Sequence, residues 1–422
     1  MALHAISLVG LFLPVNPKLE DNSIADETLL EQLRALPRVV WILFAGLFIH
    51  RFGTFVVPFL TLYLKDLGYS AWDTAIVFAS MAVGGVGAMV LGGRLSDLIG
   101  RKNTMGLALF GGAISMLLMW QATDIPSYVI SAFLVGITHG MYHPASNSLL
   151  VDVVPEDRRV TAFAVVRWAV NLGFACGMAA GGVLAEKNFA YLFVGDAVTS
   201  AIFAIIAVTM LPHGVKTSLN QSRWSLALRD MARNRHFIAF FFANLLATAL
   251  FFQWGSSVTR LLGDLGYGKS VYGWLMAGNG LLIAFFEIPI SQMTRRRFPP
   301  PMIAIGFLLC GIGVGLNAFA VPGVESALVI VAVALVIFTT GEMISLPIAG
   351  AWVASLAPEK MRGRYSAGVG LTWNLGHAVA PGAGLLLYES APQLLWWGGL
   401  ALGVIAYALM IWSSRGCENE TP

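Results

Sequence analysis

The sequence predicts an all-α membrane protein with twelve transmembrane helices in two pseudo-symmetric six-helix bundles. Three observations lead to this prediction: the apolar composition, the recurrence of apolar segments of spanning length, and a second half that repeats the first. Of the 422 residues, 57% are hydrophobic and only 12% are charged, and the mean hydropathy is +0.74. These values do not fit a water-soluble domain with a polar surface.

Each predicted span is an apolar segment long enough to cross the ~30 Å hydrocarbon core, which needs about 20 helical residues. The segments are 39–64, 73–93, 103–123, 126–151, 160–185, 189–211, 237–262, 270–293, 300–321, 326–355, 364–388 and 391–413. We expect a cytoplasmic N-terminal tail (1–37), a first bundle (38–212), a cytoplasmic linker (213–236), a second bundle (237–413) and a cytoplasmic C-terminal tail (414–422). The first residues lack the basic start of a signal peptide.

Basic residues are distributed unevenly between the two sides of the membrane. Of the 26 Lys and Arg residues, 20 lie in alternate loops and the termini, whereas the opposite loops hold Lys65, Lys187 and Lys269. By the positive-inside rule, both termini are cytoplasmic. We expect a plasma membrane protein, with a bacterial inner membrane as the first choice. The net charge of +3 is spread over short loops, so nucleic acid binding has no support.

The second half of the sequence repeats the first at a nearly constant offset. VVPEDRRVTAFAVVRWAVNLGFACGMAAGGVLAE, from residue 153, aligns without a gap with LAPEKMRGRYSAGVGLTWNLGHAVAPGAGLLLYE, 203 residues later. Pro144 and Pro347 keep this offset, and the motif Asp-Leu-Gly-Tyr occurs at Asp66 and at Asp264. Such duplication typically places a substrate site near the membrane midplane, between halves that rock around it.

The loop between the second and third spans resembles the signature loop of the major facilitator superfamily. Residues 93–105 read GRLSDLIGRKNTM and match G-x-L-[AS]-D-[RK]-x-G-[RK]-[RK], except that Leu98 replaces a basic residue. The resemblance implies transport by alternating access and a latch between the halves on the cytoplasmic side. The expected latch residues are Gly93, Asp97, Gly100, Arg101 and Lys102, with Asp152 as the partner of Arg101 and the start of helix 11, near Arg364, as the partner of Asp97.

Within this superfamily, the fifth span resembles that of drug/proton antiporters. NLGFACGMAAGG, residues 171–182, matches G-x-x-x-G-P-x-x-G-G with Met178 in place of proline, and its glycines also predict tight helix packing. Antiporters carry an arginine before a Q-G pair in helix 4, where this chain has Gly136 and His139. The resemblance implies proton-coupled export of small amphipathic or drug-like molecules.

Helix 10 leaves a second function open. Its GEMISLP resembles the G-E-x-x-x-x-P segment of multidrug facilitators and also the G-E-x-x-x-S-P-x-G pattern of proton-coupled peptide symporters. Those symporters carry E-x-x-E-R-F in helix 1, of which only Arg51 and Phe52 remain here. The alternative is therefore a proton-coupled importer of peptides or another small polar solute. A lipid flippase and a membrane sensor are further alternatives.

Nine ionisable side chains within the predicted spans are candidates for a functional role, because a charge there costs roughly 2.5 to 3.5 kcal/mol on insertion scales. His50, Arg51, His139 and Glu342 fall near the midpoints of helices 1, 4 and 10, and we expect them to couple protons, with Glu342 offsetting Arg51. Arg167, Asp196 and Glu287 lie nearer the ends of their spans and fit structural roles equally well. The expected substrate contacts are Gln253, Trp254, Trp373, Asn374, His143 and His377.

The sequence contains no motif of catalysis. It has no H-E-x-x-H, no G-x-S-x-G and no phosphate-binding loop, and its three cysteines have no metal or disulfide spacing. We therefore expect neither an enzyme nor a cofactor. The expected partners are a small-molecule substrate, protons and the lipid bilayer, and the protein is expected to act as a monomer.

Overall fold

The computed structural model describes residues 29–155, 158–213, 224–294, 297–358 and 361–414. These residues form helices joined by short connections. The α-helices are α1 (Leu29–Arg34), α2 (Arg38–Gly53), α3 (Val56–Asp66), α4 (Ala71–Ile99), α5 (Arg101–Trp120), α6 (Ile125–Val153), α7 (Arg159–Lys187), α8 (Ala190–Met210), α9 (Trp224–Met231), α10 (Arg235–Phe252), α11 (Ser257–Asp264), α12 (Lys269–Thr294), α13 (Pro299–Leu316), α14 (Ala327–Leu356), α15 (Arg362–Ser390) and α16 (Pro392–Ser414).

Eleven helical stretches in the described part of the chain are long and apolar enough to cross a membrane. They correspond to eleven of the twelve predicted spans. The remaining predicted span, 364–388, lies in α15, which has 29 residues and ample length but is more polar. Its polarity comes from side chains such as Thr372, Asn374 and His377. The all-helical membrane fold predicted from composition is confirmed.

The first predicted span is two helices rather than one. α2 ends at Gly53 and α3 begins at Val56, and together they form the single membrane-spanning stretch that was predicted over 39–64. Thr54 Oγ1 donates to the carbonyl of His50 at 2.8 Å and so satisfies an acceptor that the helix no longer uses. Pro58 lies in the first turn of α3, where its missing N–H removes no helix hydrogen bond. The seventh predicted span is broken in the same way, by a 3₁₀ turn at Gln253–Gly255.

The described residues divide into two compact units. The first unit comprises those within Asn22–Leu219 and Thr259–Leu281, and the second comprises those within Asn220–Val258 and Leu282–Pro422. In the first unit α5 packs on α6 and α8, and α2 packs on α7 and α8. In the second unit α13 packs on α14 and α16, and α10 packs on α15 and α16. The same four pairings recur at equivalent positions, as the sequence repeat predicts.

Each unit has its own apolar core. In the first, buried Leu43 and Leu47 of α2 pack with Tyr142 of α6 and Phe203 of α8. In the second, buried Phe237 and Phe240 of α10 belong to one cluster with Phe307, Trp352 and Tyr365.

A proline lies inside the continuous helix α6 at Pro144 and inside α14 at Pro347, the two positions that the repeat aligns. Because proline has no N–H, the carbonyl one turn before it loses its helix hydrogen bond.

Small residues of α7 allow close packing on two sides. A Cβ at Gly173 would lie 2.7 Å from the Phe48 carbonyl of α2, and a Cβ at Gly182 would lie 2.9 Å from the Lys269 carbonyl at the start of α12. A Cβ at Gly273 of α12 would in turn lie 2.5 Å from the Met178 carbonyl. The packing role predicted for the 171–182 glycines is confirmed.

Reciprocal side-chain hydrogen bonds fix the starts of two long helices. Ser70 and Asp73 form a capping box at the start of α4, and Asp124 and Ser127 form one at the start of α6. The hydrogen bonds from Ser127 lower the pKa of Asp124, which precedes the α6 span. The two caps fix the residues at which α4 and α6 begin.

Candidate functional site

A chain of buried polar side chains crosses the first unit from α8 to α2. Asp196 and Ser200 lie one turn apart on α8, and the Ser200 hydroxyl is 3.3 Å from Asp196 Oδ1 and 3.2 Å from His50 Nδ1. Asp196 is fully buried and His50 is 1% exposed. Asp196 Oδ2 and His50 Nε2 have no hydrogen-bond partner. Buried polar atoms without partners are rare and commonly mark a functional position.

Arg51 is paired within the same unit. Its Nη2 lies 3.0 Å from His143 Nε2 of α6. Because arginine only donates, His143 accepts at Nε2 and carries its proton on Nδ1, so the imidazole in this pair is neutral. A second proton on His143 would break the pair and place two cations side by side. The His139 ring centre lies 6.0 Å from that of His50, so the structure brings together all the predicted polar residues of helices 1 and 4.

Sequence analysis gave too little weight to one member of this group, Asp196. From the sequence, Asp196 lies near the outer end of its span and fits a structural role as well as a functional one. In the structure, however, it is buried against the gap between α2 and α3. Its carboxylate faces the backbone of Val56, the first residue of α3. The predicted pairing of Arg51 with Glu342 stays a prediction, since the two residues belong to different units.

The second unit contains a cavity that combines one carboxylate with aromatic rings. Its empty volume, including space open to solvent, is about 290 Å³. Lining residues are Asn244, Ala247, Thr248, Phe251, Phe307, Cys310, Phe338, Glu342, Ser345, Leu346 and Trp373. Trp373 packs edge-on against Phe251, with ring centres 5.1 Å apart.

The other predicted substrate residues of the second unit differ in their surroundings. His377 stacks near Phe252, at 4.7 Å between ring centres, on the same face as Trp373. Asn374 donates to the carbonyl of Gly370 within its own helix. Trp254 is buried, and its ring lies 5.4 Å from Phe338.

Gln253 is held entirely by protein groups. Its Nε2 donates to the carbonyls of Ala249 and Ala380, and its Oε1 accepts from Ser257 at 2.7 Å. The amide therefore stabilises the break between α10 and α11, and its substrate-binding role stays a prediction.

Part of the predicted latch is visible at the turn between α4 and α5. Gly100 has a φ of 88°, a left-handed conformation that favours glycine. Arg101 Nε donates to Asp152 Oδ2 at 3.1 Å, which is the contact expected from the sequence, and Arg101 Nη1 lies 3.1 Å from Ser96 Oγ. Lys102 Nζ donates to the Val208 carbonyl.

The other predicted latch residues are Gly93, Asp97 and Arg364. Gly93 and Asp97 belong to α4, but their side chains lie outside what the structure describes. Arg364 lies in the first turn of α15. The latch function of the whole set stays a prediction.

A second polar group, on the membrane side opposite this turn, was missed by sequence reasoning. We call it the outer cluster: Lys65, Asp66, Glu186, Asp264, Lys269 and Ser270. Lys65 pairs with Asp264 at 3.2 Å, and Lys269 pairs with Asp66 at 2.6 Å. Glu186 Oε1 accepts from the backbone N–H of Ser270 at 3.0 Å and from its hydroxyl at 2.6 Å, near the start of α12. The signal was present, since both aspartates open the repeated Asp-Leu-Gly-Tyr motif.

No group of three or more His, Cys, Asp or Glu side chains is arranged to hold a metal ion among the described residues.

Comparison with known proteins agrees with the fold. The family model of the Major Facilitator Superfamily matches residues 42–263 and 255–418. The chain is 26% identical over 383 residues to a Na(+), Li(+), K(+)/H(+) antiporter of Planococcus maritimus, covering 81% of this chain and 86% of that protein. It is 28% identical over 182 residues to the quinolone resistance protein NorA of Staphylococcus aureus, covering 42% of this chain and 46% of NorA.

Among solved structures, a POT family transporter in complex with 5-aminolevulinic acid superposes with a TM-score of 0.75 at 16% identity, over 92% of this chain and 97% of that one. At this identity the likeness concerns the fold alone. The family match spans nearly the whole described chain and agrees with the duplicated helical plan and the signature loop. The chain therefore belongs to the major facilitator superfamily, and it is a multi-pass membrane transporter rather than an enzyme.

Proposed function

We propose that the protein is a proton-driven exporter of small amphipathic molecules that carry a positive charge. The observation that carries this proposal is the cavity of the second unit, where Glu342 shares the wall with Phe251, Phe338 and Trp373. A carboxylate attracts a cation, and aromatic faces attract both its charge and its apolar body. Neutral or anionic solutes gain nothing from this pairing.

The same carboxylate supplies the coupling. Glu342 holds either a proton or the cationic group of a substrate, so the two compete for one site. If each conformational state releases one before it takes the other, inward proton flow drives outward substrate flow. His50, Arg51 and His139 of the first unit are proposed to take part in the same proton cycle, on the strength of their burial and proximity.

The names of two relatives favour this proposal over import. One is called a quinolone resistance protein and another a cation/proton antiporter. The alternative, import of peptides or another small polar solute, is favoured by the helix 10 pattern around Glu342. We place the transporter in the plasma membrane of a bacterium, as a monomer with both termini cytoplasmic.

Transport by purified protein in liposomes tests the proposal. Ethidium, an aromatic monocation, serves as the probe, with an acidic interior and the membrane potential clamped to zero. We expect roughly tenfold accumulation per unit of pH difference for one-for-one exchange, because one pH unit and a tenfold ratio are both worth about 1.4 kcal/mol. Glu342→Gln should abolish accumulation but permit downhill exchange.

The matched control is Glu325→Gln, which removes an exposed carboxylate in the connection before α14. It should transport as the unaltered protein does. Labelled dialanine, with the acidic side reversed, tests the alternative. Uptake of the dipeptide without ethidium transport would replace the export proposal, and unchanged proton-driven accumulation by Glu342→Gln would remove Glu342 from the coupling.

A further inference from the structure

We propose that Asp196, Ser200 and His50 form a buried proton-binding chain that takes up one proton at His50 Nε2. The inference rests on the proposed proton coupling and extends it to a second carboxylate, on α8. It concerns atoms of the first unit alone and is carried by their geometry.

The hydrogen-bond directions follow from the chemistry of three groups. An ionised carboxylate only accepts, so the single O–H of Ser200 is donated to Asp196 Oδ1, at 3.3 Å. The 3.2 Å contact between Ser200 Oγ and His50 Nδ1 must then be donated by the ring. His50 consequently carries its proton on Nδ1, and its Nε2 presents a free lone pair. This is the buried nitrogen that has no partner.

The charged and titratable groups around His50 favour compensation by Asp196. They are Arg51 on α2, His139, Tyr142 and His143 on α6, and Asp196 on α8. Of these, Asp196 is the one carboxylic acid, and in its ionised form it supplies the negative charge. A proton on Nε2 creates an imidazolium whose Nδ1–H already points through Ser200 to the carboxylate. The pair thus becomes a hydrogen-bonded ion pair, which offsets the cost of burying either charge alone.

Protonation of His50 changes only one bond of the protein. One N–H bond forms at Nε2, one O–H bond of a hydronium ion breaks and leaves water, and no bond within the chain breaks. His139 and His143 lie one turn apart on α6, and the ring centre of His139 is 6.0 Å from that of His50.

The site lies at the break in the first span, which links protonation to helix position. His50 ends the regular part of α2, and Asp196 faces the start of α3 at Val56. α8 also touches the break directly, because Gly53 leaves no room for a Cβ beside the Thr199 side chain. A change of charge here acts on the point where two helix segments meet, and discontinuous helices of this kind form ion sites in transporters.

Nitrogen NMR of the full-length protein in lipid bilayers tests the chain without any transport assay. With ¹⁵N-histidine, the signals of His50 are those that His50→Gln removes. We expect the Nδ1–H tautomer at alkaline pH and protonation of both nitrogens as the pH falls. A wild-type His50 with its proton on Nε2 would overturn the proposal, and this measurement needs no variant beyond the one used for assignment.

Two variants test the role of the other members. Asp196→Asn and Ser200→Ala should each move the midpoint of His50 protonation to lower pH, by about one unit or more, because the imidazolium loses its counter-charge or its link to it. Ser131→Ala is the control, since that buried hydroxyl donates only to carbonyls of its own helix. Unchanged midpoints in both folded variants would overturn the proposal. Ethidium export can fail while these midpoints shift, so the two proposals are separable.

Discussion

The ammonium group of Lys269 lies 2.6 Å from a carboxylate oxygen of Asp66, which joins the start of α12 to the end of α3. Lys65 and Asp264 form a second pair close by, so each Asp-Leu-Gly-Tyr motif contributes one anion and each anion has a lysine partner. All four side chains are partly exposed. Exposed pairs contribute only about 0.2–1 kcal/mol each, so their effect is a bias between conformations rather than a lock.

Charge reversal of the Asp66–Lys269 pair should therefore be correctable. Asp66→Lys should lower the apparent melting temperature of the purified protein, and adding Lys269→Asp should restore it, with a coupling of about 0.2–1 kcal/mol that fades at high salt. Lys187→Asp in place of Lys269→Asp is the control and should give no rescue. If the double variant loses as much stability as the sum of the losses in the two single variants, the contact contributes nothing to stability.

The close approach of α7 and α12 predicts a strong difference between two glycines of α12. Gly273→Ala should destabilise the protein by about 1–3 kcal/mol, because its Cβ would lie 2.5 Å from the Met178 carbonyl. Gly278→Ala has no atom within 4 Å of the new Cβ and should be neutral or stabilising, since alanine favours a helix. Thermal unfolding of the two variants, measured in parallel, tests this difference. Equal unfolding midpoints would mean that α7 and α12 separate readily.

The Arg101–Asp152 pair at the α4–α5 turn should be more sensitive than the outer cluster, because both side chains are largely buried. Asp152→Ala should cost about 1–3 kcal/mol by removing the carboxylate acceptor of the guanidinium, whereas Asp152→Asn should cost less because it keeps an acceptor. Melting temperatures test the order. An equal loss in both variants would assign the effect to charge alone.

Asp97 of the signature loop should act on conversion between states rather than on the ligand. Asp97→Asn should slow turnover in the liposome assay while ethidium binds with unchanged affinity, since the expected latch does not touch the substrate. Binding measured by fluorescence and transport measured by accumulation separate the two effects. A variant with normal transport would remove Asp97 from the latch.

Cys310 offers a reporter for the cavity of the second unit. Its thiol lies in the same wall as Glu342, and it donates to the Phe338 carbonyl at 3.7 Å. In a background with Cys176→Ser and Cys417→Ser, ethidium should slow alkylation of Cys310, and Glu342→Gln should weaken this protection. Alkylation at the same rate with and without saturating ethidium would place the ligand elsewhere.

Most of the fold was readable from the sequence because spanning helices and internal repeats leave direct signals. The break in the first span also had a signal, since Gly53 and Thr54 precede Pro58 within one turn of a helix start. It was overlooked because hydropathy remains high across it. The polarity of α15 was likewise visible, but a polar stretch within an apolar segment does not by itself shorten a helix.

The candidate site was less predictable, since sequence gives the depth of a residue but not the direction in which it faces. The depth of each residue within its predicted span correctly indicated that His50, Arg51 and His139 lie together. It also suggested Glu342 as the neighbour of Arg51, which stays a prediction, and it did not foresee the contact of Arg51 with His143. Asp196 was undervalued because distance from the end of a span does not measure burial: the gap between α2 and α3 encloses it.

The aligned prolines of α6 and α14 make each helix easier to bend at one position than elsewhere. Pro144 follows His143 directly, and Pro347 comes five residues after Glu342. Each helix is therefore softest within about a turn and a half of an ionisable side chain. If either ionisable side chain changes its charge during transport, the helix would bend most easily at this position.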